Sequence, residues 1–506
     1  MSLRRILAVA AIVAAAVSSG VATAQTTLRI GLAEDPDILD PTLARTYVGR
    51  IVFAALCDKL VDITPKLEIV PQLATEWYWV DDNKGLVMTL RQGVAFQDGE
   101  KMDAAAVKLS IERHLTMPGS TRKAEISAVK SVEIIDDHTV KLVLDKPFAP
   151  LLAQLTDRAG MILSPKAAQA EGDKFGEHPV CAGPFKFTER IAQDRIVLDR
   201  FADYWNKDAT HFDRIVFLPI PDSTVRLANL QSGQLDMIER MAATDLDAAR
   251  KDSRLKVATI TSLAYAAITA NLNNGDRSKT SIGQDKRVRE ALDLSIDRVA
   301  LNQVVFNGEF APGNQWEPTS GPWYVKSMPI PVRDVAKAKS LLAAAGVPRP
   351  SMTMLVATSP ELQRAAQVIQ AMAGEAGFDI KIQAVEFASS LDMTTRGDFE
   401  TVLGGWSGRT DPDGNLYNFV GCKAPPAFNI AHYCNPDVDA ELDAARGAGD
   451  AEDRMAHYEK IAAHILADRP LIYLWHPQWI YATSTKLTGF VPYPDGLIRP
   501  QGMQMQ

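Results

Sequence analysis

Apolar positions along the chain recur in two rhythms, every second residue and every third or fourth, and the two alternate from end to end. Residues 27–32 read as a first strand, closed by the turn-rich Glu34-Asp35-Pro36-Asp37. Residues 86–91 read as another, followed by a turn at Gln97-Asp98-Gly99-Glu100. Asp103 is placed to cap a helix, because Val107, Ile111 and Leu115 behind it share one helical face. Two hairpins are expected, 131–135 with 139–144 and 185–188 with 195–201. After Asn271 the pattern restarts with a polar loop over 273–284 and a helix capped by Asp285, whose stripe is Val288, Leu292, Ile296 and Ala300. A helix over 335–345 stops at Gly346. A strand at 352–357, a helix at 361–376 ended by Gly377 and a strand at 379–385 then form a strand–helix–strand unit. A helix over 454–467 precedes strands at 472–475 and 480–482. Such alternation predicts α/β lobes, and the length accommodates two or three domains.

The first 24 residues follow a different pattern. Arg4 and Arg5 precede an almost wholly apolar stretch over 6–17, then Ser18, Ser19 and Gly20, then Ala22-Thr23-Ala24. A positive segment, an apolar segment and an A-x-A site describe an export leader cleaved after Ala24. The apolar stretch is short of the roughly 20 residues that span a bilayer, so an uncleaved anchor is the weaker reading. No Cys lies at the cleavage site to accept a lipid. The formal net charge is −8, and about −10 without Arg4 and Arg5, which disfavours nucleic-acid partners.

Export changes how the four cysteines are read. An even number in an oxidising compartment suggests disulfides: Cys422 with Cys434 as a short clip, leaving Cys57 with Cys181. Buried free thiols are the other reading.

Catalytic motifs fail one by one. Gly405-Trp406-Ser407-Gly408-Arg409 has Arg where a nucleophile elbow needs Gly. There is no phosphate-binding loop, no dinucleotide fingerprint and no H-E-x-x-H. His457 and His464 are seven apart, unlike the i, i+4 spacing of helical metal pairs. Asp411, Asp413 and Asn415 begin like a calcium loop, but Leu416 and Cys422 occupy the positions of its Gly and Glu. These failures favour binding over catalysis.

Five stretches in order resemble the family 5 extracellular solute-binding proteins, the peptide, nickel and opine receptors of ABC importers. They are TLRQGVAFQDGEKMDAAAVKLSIERH at 89–114; Ala182-Gly183-Pro184-Phe185-Lys186-Phe187 with Tyr204-Trp205; VRLANLQSGQLD at 225–236; DKRVREALDLSIDR at 285–298; and Gly405-Trp406 with Asp411-Pro412-Asp413. Arg287 and Arg289 beside Asp293 read as structural ion pairs.

The resemblance implies an α/β, two-lobe periplasmic binding protein fold (class II, large type) with an extra subdomain in the first lobe. Carried onto this chain, the first lobe is 25–60 plus 181–270 plus 483–506, the extra subdomain 61–180 and the second lobe 271–482. It implies a non-enzymatic monomer without cofactor or resident metal. Such a protein closes on a peptide-like solute and delivers it to an ABC permease of the inner membrane. A receptor for an opine, glutathione or a metal chelate is the alternative within the family, and a secreted hydrolase the alternative outside it.

In dipeptide-binding members an Asp soon after the Gly-Trp pair holds the ligand's amino group. Here Arg409 takes that place and Asp411 lies two residues on, while Val356 stands near the carboxylate-binding Arg. An Arg facing the cleft prefers a carboxylate or phosphate. The other reading pairs Arg409 with Asp411 or Asp413. The ligand candidates are therefore Trp406, Arg409 and Asp411, with Tyr47 after the first acidic turn and Arg158 beside Asp157.

Overall fold

The computed structural model describes residues 25–506, so the expected leader over 1–24 lies outside the described residues. Three sheets organise the chain. The first has seven strands in the order Leu255–Thr261, Gln478–Ser484, Met237–Ile238, Thr27–Leu32, Arg214–Pro219, Arg195–Arg200 and Phe185–Ile191. Its centre is parallel, Thr27–Leu32 pairing with both Arg214–Pro219 and Met237–Ile238. The second has six strands in the order Ala311–Pro312, Leu471–His476, Tyr265–Ala270, Thr401–Trp406, Ser351–Ala357 and Asp379–Val385. The third, of four strands, is an antiparallel sheet over Ala74–Val80, Gly85–Leu90, Thr139–Leu144 and Val129–Asp136. One apolar core lies against the first sheet and another against the four-stranded sheet, while a third covers the second sheet under helix Pro360–Ala376 and runs on into first-sheet residues such as Ile238 and Ile480, and a fourth gathers around Tyr265, Trp406 and Tyr473. The chain has two lobes and a subdomain inserted in the first.

Local chemistry explains the elements. Asp103 accepts from the Ala106 N–H and starts helix Ala104–Thr116. Pro360 begins helix Pro360–Ala376, and Gly377 ends it at φ 112°, a conformation a side chain would strain. Ala365, Ile369, Ala373 and Ala376 bury that helix against the second sheet, whose Ser351–Ala357 and Asp379–Val385 strands run parallel as the strand–helix–strand pattern requires.

One predicted helix is two. The stripe Val288, Leu292, Ile296, Ala300 crosses a break: helix Lys286–Ser295 ends, and helix Arg298–Phe306 begins with Asp297 accepting from the Ala300 N–H. Val288, Leu292 and Ile296 are buried, but Ala300 is half-buried and the buried apolar stripe beyond the break runs through Leu301 and Val305, a one-residue shift that the apolar spacing alone hides. The ion pairs expected of this helix also differ. Arg287 pairs with Asp285, Arg289 donates to the carbonyls of Asp468, Ile282 and Gly283, and Asp293 is held by Arg298 and Arg469.

The chain passes between the sheets at 262–264 and at Pro477. Tyr265–Ala270 therefore belongs to the second sheet and Gln478–Ser484 to the first, so both crossings fall about five residues before the boundaries expected at 270/271 and 482/483. Two contacts tie the crossings together. The Ser262 hydroxyl donates to the Pro477 carbonyl, and His476 Nδ1 lies 2.9 Å from the Ala264 carbonyl. Burial lowers the His476 pKa to about 4, so the ring is neutral and Nδ1–H is the donor. The tail returns to the first lobe, where Leu497, Ile498 and Met503 are buried and Arg499 clasps Asp62 and Asp495 at 2.7 and 2.9 Å. Both disulfides are formed, Cys57–Cys181 in the first lobe and Cys422–Cys434 in the second.

Candidate functional site

Strand Thr401–Trp406 carries the site's second-lobe half to the crossing between lobes. Gly408 follows at φ 79°, and a Cβ there would overlap the Leu263 backbone at the crossing. Glycine thus lets this loop press against the crossing and sets where Arg409 emerges. Asn415 fixes the loop from below: its Oδ1 accepts from Trp406 Nε1 at 3.0 Å and from the Arg409 N–H at 2.8 Å, and its Nδ2 donates to the Arg409 carbonyl. Trp406 is buried edge-on against Phe419 and Phe428, and the Arg409 guanidinium lies 4.3 Å from its ring centroid.

The first lobe answers with three more arginines. Arg50 projects from helix Tyr47–Leu56, Arg158 from the short turn Arg158–Gly160, and Arg122 from the chain after helix Ala104–Thr116. Arg122 grips Glu125 with both oxygens at 2.7 and 2.8 Å. Asp157 is shared: Arg50 Nη2 lies 2.6 Å, Arg409 Nε 3.2 Å and Arg158 Nε 3.4 Å from its carboxylate. Arg50 Nη1 also donates to Ser407 across the lobes at 3.0 Å. Four guanidinium groups thus face two carboxylates, and the four arginines are 0–6% exposed.

The electrostatics follow from burial and crowding. Burial, reinforced for Arg158 chiefly by Arg122 and for Arg409 by Arg50, pushes both groups down to about 9. The surrounding arginines hold Asp157 well below the usual carboxylate range against the opposing effect of burial. Several donors are left over. Arg158 Nε and Nη2, Arg409 Nε and Nη2, and Arg50 Nε are buried without a hydrogen bond among the described residues, and so is Asp157 Oδ2; the Nε atoms of Arg158 and Arg409 are only ion-paired with Asp157. Buried polar groups are normally paired, and an unpaired charged donor is costly. The arrangement is suited to holding an anion between the lobes.

The five residues singled out by sequence separate here. Arg409, Arg158 and Trp406 come together. Asp411 does not join them, because Arg454 takes both its oxygens at 2.7 and 2.8 Å in a closed pair that leaves no charge for a ligand. Asp413 is likewise held by Arg446. Arg409 therefore pairs with neither Asp411 nor Asp413. Tyr47 lies one helical turn from Arg50, stacked on Trp479 at 4.6 Å with its hydroxyl donating to the Gly496 carbonyl. It forms wall, and its outer neighbour is Arg240, 5.0 Å from the ring centroid and paired with Glu34 and Glu239.

Sequence reasoning missed Arg50, Arg122 and Glu125. Arg50 had a signal: it is the lone charge in the apolar helix YVGRIVFAAL, and a charge on a buried face needs a partner. Arg122 and Glu125 pair locally, three residues apart, and nothing in that spacing places the pair beside Arg158 and Arg409.

Beside the site the extra subdomain touches the second lobe. The Ala149 N–H donates to the Arg446 carbonyl at 2.8 Å, Gln154 to Asp413 at 3.3 Å, and Lys146 lies 3.3 Å from Asp443. The Arg446 guanidinium lies 3.3 Å from the Tyr417 ring centroid. Among the described residues no helix is long and apolar enough to cross a membrane, and no cluster of three or more His, Cys, Asp or Glu forms a metal site.

The sequence profile of bacterial extracellular solute-binding proteins, family 5 (middle region), matches residues 68–426. The chain is 29% identical over 505 residues to a glutathione-binding protein, GsiB, of Pectobacterium atrosepticum, covering 98% of this chain and 97% of that one. Among solved structures, the periplasmic binding protein AgaA of Agrobacterium tumefaciens R10, in complex with agropinic acid, superposes with a TM-score of 0.86 at 26% identity, covering 95% and 99% of the two chains. The DppA periplasmic binding protein of Helicobacter pylori, in complex with the peptide STSA, gives the same TM-score and identity over 95% and 98%.

Proposed function

The chain belongs to the bacterial extracellular solute-binding proteins of family 5, the substrate-binding components of ABC importers, and from there we propose that it captures a carboxylate-bearing, peptide-like solute between its lobes and passes it on unchanged. One observation carries the choice of an anion: Arg158 of the first lobe and Arg409 of the second, both buried beside Asp157, keep guanidinium donors that make no hydrogen bond among the described residues. Arg50 and Arg122 belong to the same positive site, Trp406 is the platform beneath Arg409, and Tyr47 is a side wall. Asp411 is structural in this reading. Glutathione, bound by the relative at 29% identity, is a peptide with two carboxylates and suits such a site.

The same residues give closure a driving force. Bringing Arg409 towards Arg50, Arg122 and Arg158 adds charge to a cluster already positive in excess, a repulsion that Asp157, 3.2 Å from Arg409 Nε, offsets only in part. An anion between them reverses the sign of that interaction, so it binds the closed arrangement better than the open one. Only such a differential can shift the equilibrium. The neutral crossing at His476 and Ser262 supplies the hinge. Export by the leader at 1–24, work in the periplasm as a monomer, and delivery to an inner-membrane permease complete the reading.

Native mass spectrometry of the protein taken from its own periplasm tests it. One small acidic solute bound per protein chain is the expected result. A neutral or cationic solute held at the same stoichiometry would overturn the anionic assignment.

A further inference from the structure

We propose that the site takes a solute with two carboxylates, one gripped from each lobe, and that Asp157 is the residue that sets this charge count. The inference rests on the solute-receptor reading above and narrows its substrate class.

The charge count comes first. Arg50, Arg122, Arg158 and Arg409 face only Asp157 and Glu125, which leaves an excess of two buried positive charges. Nearby acids add nothing, because Asp411, Asp413 and Asp40 each hold an arginine of their own. One ligand carboxylate would leave a buried charge uncompensated, and two match the excess provided that any ammonium of the ligand is held outside the arginine cluster.

Geometry then divides the two charges between the lobes. Of the unpartnered donors, Arg50 contributes Nε alone, whereas Arg158 and Arg409 each contribute the pair Nε and Nη2. In each case they are adjacent N–H groups on one edge of the guanidinium plane, the edge that grips a carboxylate with two parallel hydrogen bonds. One such edge belongs to the first lobe and one to the second. Asp157 lies near both Nε atoms without satisfying either, and so acts as an internal anion competing with the ligand for Arg158 and Arg409. A neutral residue at 157 removes that competitor.

Titration calorimetry of the mature protein, free of bound solute and at one fixed salt concentration, tests this with a probe panel. The panel holds glutathione and γ-glutamylglycine, the monoethyl ester of each, trialanine amide and inorganic phosphate. At least one dicarboxylate is expected to bind saturably, and its ester to bind about tenfold to a hundredfold more weakly. Asp157→Asn is expected to bind that dicarboxylate more tightly. An ester within about threefold of its parent overturns the charge count while leaving a solute receptor in place. Phosphate as tight as the dicarboxylate assigns both charges to one group and overturns the two-carboxylate form. An unchanged or weaker affinity in a folded Asp157→Asn removes Asp157 from the proposal. If that variant does not fold, the ester series on the wild type decides. Absence of binding by every probe overturns the two-carboxylate inference, while the receptor reading beneath it stands or falls by the solute carried from the periplasm.

Discussion

Arg409 Nε of the second lobe lies 3.2 Å from Asp157 Oδ2 of the first, and the same Asp157 oxygen lies 2.6 Å from Arg50 Nη2. One first-lobe carboxylate thus links arginines of both lobes, and more positive charge surrounds it than it can balance. The account of function grows from that imbalance.

Arg454 and Asp411 form a two-hydrogen-bond pair at 2.7 and 2.8 Å with both side chains about 10% exposed. Arg454→Ala leaves a carboxylate uncompensated beside the site, and the expected cost to unfolding free energy is about 3–5 kcal/mol. The affinity of the molecules still folded should change by less than about threefold, because this pair lends no charge to the arginine cluster. Denaturant unfolding and titration calorimetry on one preparation separate the two effects. A large loss of affinity with unchanged stability would return Asp411 to the ligand.

The two disulfides close loops of very different length. Cys57 and Cys181 are 124 residues apart, Cys422 and Cys434 only 12. Loop entropy alone assigns them about 5 and about 3 kcal/mol. Cys57→Ser with Cys181→Ser should therefore lower unfolding free energy by up to about 2 kcal/mol more than Cys422→Ser with Cys434→Ser. Urea unfolding of the two double variants makes the comparison, and the reverse order would show that native-state effects dominate.

Asp58 is wholly buried, accepting from Trp205 Nε1 at 2.7 Å, Gln72 Nε2 at 3.0 Å and the Tyr204 hydroxyl at 3.1 Å. Burial nevertheless pushes its carboxyl up to about 7. Its folded value exceeds its unfolded value near 4, so between the two the folded protein binds the extra proton and stability falls as pH rises. Buried neutral His114 and His476, lowered to about 3 and about 4, act oppositely in acid. The clean observable is therefore a difference. Asp58→Asn should remove a slope of up to about 1.4 kcal/mol per pH unit between pH 4 and 7 relative to the wild type. Parallel stability curves for the two proteins would contradict the buried-acid assignment.

Much of the fold was written locally. Pro360 and Gly377 bracket their helix, Asp103 and Asp285 cap theirs, and the strand at 379–385 has the expected ends. The lobe crossings were harder to read. Leu255–Thr261 and Tyr265–Ala270 are separated by three residues, and Leu471–His476 and Gln478–Ser484 by Pro477 alone. The strands at 472–475 and 480–482 were legible as two, but nothing in their pattern shows that the halves of either pair belong to different sheets. Pro477, which cannot donate to a ladder, was the available clue. At the site, Arg409 was legible because the resemblance to dipeptide-binding members leads one to expect an acid at its position. The cluster it joins was not, since Arg50, Arg122 and Asp157 converge from segments far apart in sequence.

The most direct test is the dissociation constant of the co-purified solute for wild type and Arg409→Ala, measured by calorimetry beside the melting temperature of each solute-free protein. Removing Arg409 takes away one of two free guanidinium edges and also relieves excess positive charge. The account predicts at least about a tenfold loss of affinity, and a melting temperature of the solute-free protein that does not fall. An unchanged dissociation constant would contradict it.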